Sequence, residues 1–237
     1  MRAYNVFLYF LGAMGVGAIP PAAIARAKSL VAKMTLDEKI QMLHGNGMYP
    51  ASGFAGDTCL PPAAASVNST CGQYAIPRLK IPPVLLQDGP QGVKTTNRKG
   101  NIMKSSTQYP ALVGIGASWD PAIARAVGIA MGAEFRGKGA NNQEGPGLNI
   151  HRVPYNGRNC EYVSGEDPNL GAVMASALVD GIQSQGVVAC AKHFVANNQE
   201  QWRQSGVSAN IDERTLHQIY YPAWEAAINA GLGSIMW

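Results

Sequence analysis

The sequence is poor in charge, in cysteine and in long apolar runs, and each shortage narrows what the protein does. Asp, Glu, Lys and Arg make up only 14% of the 237 residues, and the net charge of +4 is scattered. No Lys/Arg-rich block or basic stripe occurs, which argues against nucleic acid as a partner. No low-complexity tract interrupts the chain, so disorder is not expected. The four cysteines include no Cys-x-x-Cys pair, and there is no His-Glu-x-x-His, so no metal site and no cofactor are expected. Beyond the first residues, no segment approaches the ~20 apolar residues that cross a bilayer.

The first residues, MRAYNVFLYFLGAMGVGA, hold one early positive charge at Arg2, an apolar stretch from Val6 and small residues at Val16, Gly17 and Ala18. That order reads as a secretory signal over residues 1–18, leaving 19–237 as the mature chain. A buried N-terminal helix or a membrane anchor is the competing reading. Export implies an extracellular protein with no membrane contact once the signal is removed. In an oxidising compartment, Cys59 and Cys71 flank a Pro/Ala/Ser loop that also holds the glycosylation sequon at Asn68. A Cys59–Cys71 disulfide is the favoured one of the three pairings that four cysteines allow. Cys190, inside an apolar run, suits a buried free thiol.

Helical spacing runs from Ala23 to Met34. Thr35-Leu36-Asp37-Glu38 then forms a capping box that opens a second short helix ending near Gly45. Residues 46–80 read as a long loop. Beyond it, strand and helix alternate. Strands are expected at Pro83–Gln87, Leu148–Ile150, Val187–Ala191 and Gly233–Trp237. Asp120-Pro121 and Asp167-Pro168 each supply a cap and a first-turn proline. The first of these helices would turn Ile123, Val127, Met131 and Phe135 inward, the second Val173, Leu178, Val179 and Ile182. Another helix spans Asp212 to Ala230. Such alternation signals a parallel α/β fold. With no glycine-rich dinucleotide turn after the first strand, a (β/α)8 TIM-type barrel is preferred over an open sheet. Too few units are visible to close it, so an incomplete barrel is expected.

Chemistry in a parallel barrel gathers where strands end. Those positions hold Asp88, the stretch His151 to Tyr162, and Lys192 with His193. A carboxylate, guanidinium, ammonium and imidazole together suit a ligand dense in hydroxyls, which needs donors and acceptors at once. Alternation along a strand would send Lys192 and His193 to opposite faces, so the backbone must leave strand geometry there if both are to reach one pocket. Glu166, Asp167, Asp212 and Glu213 read as helix-capping residues, and Asn197, Asn198 and Glu200 as organisers of the loop.

The stretches LLQDGPQGVK, GPGLNIHRVPYNGRNCEYVSGEDP, CAKHFVANNQE and DERTLHQIYYPAWEAAINAGLGSIM resemble glycoside hydrolase family 3, most closely its secreted β-glucosidases, over about residues 25 to 236. The resemblance implies a retaining, exo-acting hydrolase of terminal β-linked glucose, with an N-terminal (β/α)8-type barrel followed by an α/β sandwich domain. It implies that Asp88 accepts hydrogen bonds from sugar hydroxyls and that Lys192 and His193 donate to neighbouring ones. Arg158 would donate to the sugar and pair with a carboxylate; a purely structural pair with Glu161 or Glu166 is the alternative. Met236 matches a methionine near the sugar, a core role being equally open.

Departures accompany the match. A retaining glycosidase needs two carboxylates about 5 Å apart. In the family the nucleophilic Asp lies in a Ser-Asp-Trp-like motif on a later barrel strand, and the acid/base Glu in the following domain. Neither motif occurs here, so no catalytic residue is assigned and both are expected beyond Trp237. A fragment that recognises glucose, inactive without the remainder, is therefore expected. A non-catalytic sugar-binding remnant, or xylosidase or exo-glucanase specificity, are the other readings. Trp237 and Cys160 replace a small and an aromatic residue of the family, the latter implying altered packing in the pocket wall.

Overall fold

The computed structural model describes residues 20–43, 71–73, 75–94 and 105–237. The signal segment, Cys59 and Asn68 lie outside the described residues, as does the proposed Cys59–Cys71 bridge, since only the backbone of Cys71 is described. Helix α1 (Pro21–Lys33) leads into α2 (Leu36–Leu43). The turn between them is the expected capping box: the Thr35 N–H donates to Glu38 Oε2 at 2.9 Å, and the Glu38 N–H to Thr35 Oγ1 at 3.2 Å. Glu38 also pairs with Arg78 at 2.6 Å, tying the helices to the body.

A five-stranded sheet follows in the order β1 (Cys71–Gln73), β2 (Val84–Asp88), β3 (Asn142–Glu144), β4 (Val188–Lys192) and β5 (Ser234–Met236). Strands β2 to β5 are parallel neighbours, as in part of a (β/α)8 barrel. Strand β1, which falls in the expected long loop, pairs antiparallel with β2. The strand expected at Leu148–Ile150 is absent. Its place in the sheet is taken by Asn142-Gln143-Glu144, in register with Leu86, Gln87 and Asp88. Leu148 and Ile150 are buried all the same, in irregular chain that Gly147 bridges to Lys192. An apolar triplet reported burial there, not strand.

Helices α3 (Leu112–Gly116), α4 (Pro121–Gly137) and α5 (Pro168–Gln183) follow, then a short α6 (Glu213–Thr215), a π-helical segment at Leu216–Tyr220 and α7 (Tyr221–Asn229). The π segment ends at Tyr220, just before the first turn of α7, where Pro222 has no N–H to continue the regular ladder. Asp120, Asp167 and Asp212 cap α4, α5 and α6 with side-chain oxygens. One core lies between sheet and helices, built on Met131, Phe135, Leu178, Val179, Ile182, Ala189, Ala191 and Trp224. Ile123 and Val173 do not join it and are exposed, because α4 and α5 meet through small residues instead. A Cβ on Gly181 would lie 2.4 Å from the Arg125 carbonyl oxygen, so the close crossing requires glycine. Among the described residues no helix is long and apolar enough to cross a membrane.

Candidate functional site

The C-terminal ends of β2, β3, β4 and β5 carry Asp88, Glu144, Lys192 and Met236. Asp88 stands level with Glu144, and Lys192 with Met236. Asp88 is fixed by the turn that follows: the Lys94 N–H donates to its carbonyl at 3.0 Å, and Gln143 Nε2 to the Gly89 carbonyl at 3.1 Å. Gly89 adopts φ 148°, and a Cβ there would fall 1.6 Å from the Gly92 carbonyl oxygen. No other residue fits this turn.

Lys192 is buried, and its ammonium donates to Asp88 Oδ1 at 2.8 Å while standing 3.7 Å from Glu161 Oε2. Glu161 in turn receives Arg158 Nη1 at 3.0 Å. Arg158 Nε pairs with Glu200, which also pairs with Arg203 at 3.0 Å. One continuous network therefore joins Asp88, Lys192, Glu161, Arg158, Glu200 and Arg203, from four separate stretches of chain. A buried charge this size is tolerable only when paired in this way. Glu166 is not a partner of Arg158. Its neighbour Asp167 caps α5 at the Asn169 N–H, 2.8 Å away.

His193 enters the same network from the next position along. The backbone leaves strand geometry there, as expected: the Lys192–His193 and Phe194–Val195 peptide bonds are cis. Arg158 Nη1 lies 2.9 Å from His193 Nε2. A guanidinium only donates, so Nε2 accepts and the imidazole is neutral. Burial, with Lys192 and Arg158 next, pushes the His193 pKa down to about 3. The unfolded chain then binds the extra proton below about pH 6.5, so stability from this group is full above that value and is lost as pH falls toward 3. Its ring resonances are expected to show no titration between about pH 5 and about pH 8, which a histidine-detected NMR titration reads directly. A midpoint near 6.5 would contradict the contact with Arg158.

The loop beneath is held as the amide-rich sequence suggests. Asn198 Nδ2 donates to the Ile150 carbonyl at 2.6 Å, and the Tyr162 hydroxyl to that of Asn197. With its amide turned to satisfy both ends, Asn149 donates to the His193 carbonyl at 2.8 Å and accepts from the Asn197 N–H at 3.0 Å. Phe194 packs edge-on to Trp224, centroids 5.0 Å apart, and stacks on Tyr221 at 5.9 Å. Its N–H donates to the Met236 carbonyl at 2.8 Å. Cys160, by contrast, is an exposed free thiol and not a packed part of the wall. Cys190 is free and buried, as expected. A cleft of about 240 Å³ opens between Arg152–Asn156 and Ala196–Ala209, but neither Asp88, Arg158, Lys192 nor His193 lines it. The chemistry sits at the open strand ends.

Asp88, Arg158, Lys192, His193 and Met236 are thus brought to one rim. Sequence reasoning missed Glu144. The signal was present in the repeated carboxylate-Gly-Pro ending, Asp88-Gly89-Pro90 on β2 and Glu144-Gly145-Pro146 on β3. Burial raises the Glu144 pKa, Asp88 adds to the rise, and Lys192 and Lys94 offset part of it.

Residues 63–237 match the glycosyl hydrolase family 3 N-terminal domain. The chain is 35% identical over 212 residues to Beta-glucosidase BoGH3A of Bacteroides ovatus, covering 87% of this chain and 25% of that protein. Among solved structures, beta-glucosidase 3B from Thermotoga neapolitana in complex with alpha-D-glucose superposes with TM-score 0.73 at 36% identity, over 86% of this chain and 27% of that one. DesR, a beta-glucosidase from Streptomyces venezuelae in complex with D-glucose, does so with TM-score 0.74 at 38% identity, over 89% and 24%. The chain spans about a quarter of the length of these relatives.

Proposed function

Because this chain belongs to glycosyl hydrolase family 3, we propose that its strand-end network is the subsite for the terminal, non-reducing glucosyl residue of a β-glucoside, in a retaining β-glucosidase. Asp88 accepts from sugar hydroxyls, Lys192, Arg158 and His193 face neighbouring hydroxyls, and Met236 lies against the ring. One observation carries the reading: acceptor and donor groups from segments 70 residues and more apart in sequence, Asp88 against Arg158 and Lys192, meet in one ion-paired rim at the ends of parallel strands. Paired charges of this kind present both halves of the hydrogen-bonding code of a polyol with little net charge. We further place the protein outside the cell, on its N-terminal leader pattern and the sequon at Asn68, with no nucleic-acid partner and no cofactor.

Hydrolysis needs a nucleophile and an acid/base that the family supplies from other segments, the latter from an α/β sandwich domain. Asp88, Glu161 and Glu200 are each committed to a cation, and Glu144 alone cannot be both nucleophile and acid/base. The 237-residue chain is therefore expected to bind D-glucose without turning over an aryl β-glucoside. Calorimetric titration with glucose and a chromogenic assay on the same sample check both halves. Turnover well above the uncatalysed rate would contradict the division of roles, and an absence of glucose binding would contradict the site.

A further inference from the structure

Glu144 is the one carboxylate of this rim that has no role in the network. It is 8% exposed, and among the described residues its carboxyl has no hydrogen bond and no ion pair. A buried carboxyl without a partner is costly, and the cost falls away if a ligand supplies one. Its direction is set by the strand. Gln143 reaches back toward α4, with Nε2 3.7 Å from Met131 Sδ, so Asn142 and Glu144 point to the opposite, concave face. Asn142 Nδ2 confirms this by meeting Ser234 Oγ at 3.3 Å across the intervening β4, a reach open only on the concave side. Asp88 is its register neighbour, and the Gly-Pro turns that follow the two carboxylates pack on each other: a Cβ on Gly145 would lie 3.1 Å from Pro90 Cα.

We propose that Glu144 is a further ligand-contacting residue of the site, its carboxyl giving a hydrogen bond to a hydroxyl of the bound hexose from the wall between Asp88 and Lys192. This rests on the sugar-site reading above. The groups facing Glu144 are Asp88 on β2, Lys94 after it, and Cys190 and Lys192 on β4; β5 offers only the neutral Ser234 and Met236. In this setting the carboxyl holds its proton to higher pH than an ordinary glutamate, so it donates where Asp88 accepts. Ligand binding favours the protonated form. Affinity is therefore full below the free-state pKa and falls as pH rises through it, when the donor is lost and a second anion faces Asp88.

The test uses the full 237-residue chain, D-glucose as probe and glutamate labelled with 13C at the side-chain carboxyl, the Glu144 resonance being identified by its absence in Glu144→Gln. Glucose is expected to raise the Glu144 titration midpoint, and wild-type affinity to fall as pH rises through the free-state midpoint. Glu144→Gln keeps the low-pH affinity and loses the pH dependence, while Glu144→Leu binds about tenfold more weakly. A midpoint unmoved by saturating glucose overturns the proposal without any variant having to fold. Wild-type binding that is lost in Asp88→Ala but unchanged in Glu144→Leu overturns this proposal alone. A wild-type chain that does not bind glucose overturns the site reading and this inference together.

Discussion

Replacing Lys192 by methionine is expected to lower the unfolding free energy by about 3 kcal/mol and to abolish glucose binding. The ammonium is almost wholly buried, its side chain 6% exposed, and it stands between Asp88 and Glu161. Methionine keeps the stem and removes the charge, leaving Asp88 without its cation while Glu161 keeps only Arg158. The loss sits toward the lower end of the range for broken buried pairs, because Asp88 is partly solvated and can turn to water. Adding Asp88→Asn to Lys192→Met removes the stranded anion and is expected to restore about 1 kcal/mol. Urea denaturation of the two single variants and the double variant reads this coupling. Additive losses would mean that the contact contributes nothing.

The second large effect is expected one layer down. Trp224 is 1% exposed and meets Phe194 edge-on, and Phe194 directly follows His193. Trp224→Ala empties a fully buried core site and is expected to cost about 3–5 kcal/mol. Among the described residues the indole Nε1 has no hydrogen-bond partner, so Trp224→Phe gives up area without stranding a polar group and is expected to cost about 1 kcal/mol. Phe194 also stacks on Tyr221 and reaches the Met236 carbonyl through its N–H. Loosening it shifts His193 and Met236 together. Glucose affinity in Trp224→Ala is therefore expected to drop about tenfold under conditions where the variant is still folded. Unchanged affinity in folded Trp224→Ala would show that the aromatic layer does not position the rim.

How far the chain was legible depended on whether a residue announced its own structure or borrowed it. Asp120-Pro121 and Asp167-Pro168 announce helix starts, since cap oxygen and fixed proline φ are local properties, and both begin where expected. The apolar runs of β2 and β4 are equally plain, and both end in chemistry, at Asp88 and Lys192. Strand β3 was hidden because Asn-Gln-Glu carries no strand signature. Its burial is made by its neighbours, through Ser234 for Asn142 and Gly89 for Gln143. The apolar Leu148-Asn149-Ile150 drew the assignment a few residues downstream. Ile123 and Val173 followed the helical period but lost their inward places to glycines, a packing choice visible only once α4 and α5 are seen to cross.

The rim was legible as types of residue and not as a circuit. Asp88, Arg158, Lys192 and His193 stood out because each ends a strand or lies in a polar loop after one. That Glu161 joins Lys192 to Arg158, and that Arg158 turns to Glu200 and not to Glu166, is decided by three-dimensional proximity alone. No spacing rule along the chain encodes it.

The central claim is that Asp88, Arg158, Lys192 and His193 hold one pyranose between them. It is tested most directly by titrating D-glucose into the isotopically labelled chain and following the Arg158 Nε–H, the Lys192 ammonium, the His193 ring and the Asp88 carboxyl in one series of NMR spectra. The account predicts that all four move along a single saturable curve with one dissociation constant, while Asp167 and Asp212, which only cap helices, stay still. Shifts at the caps but not at the four, or four curves with unrelated midpoints, would contradict it.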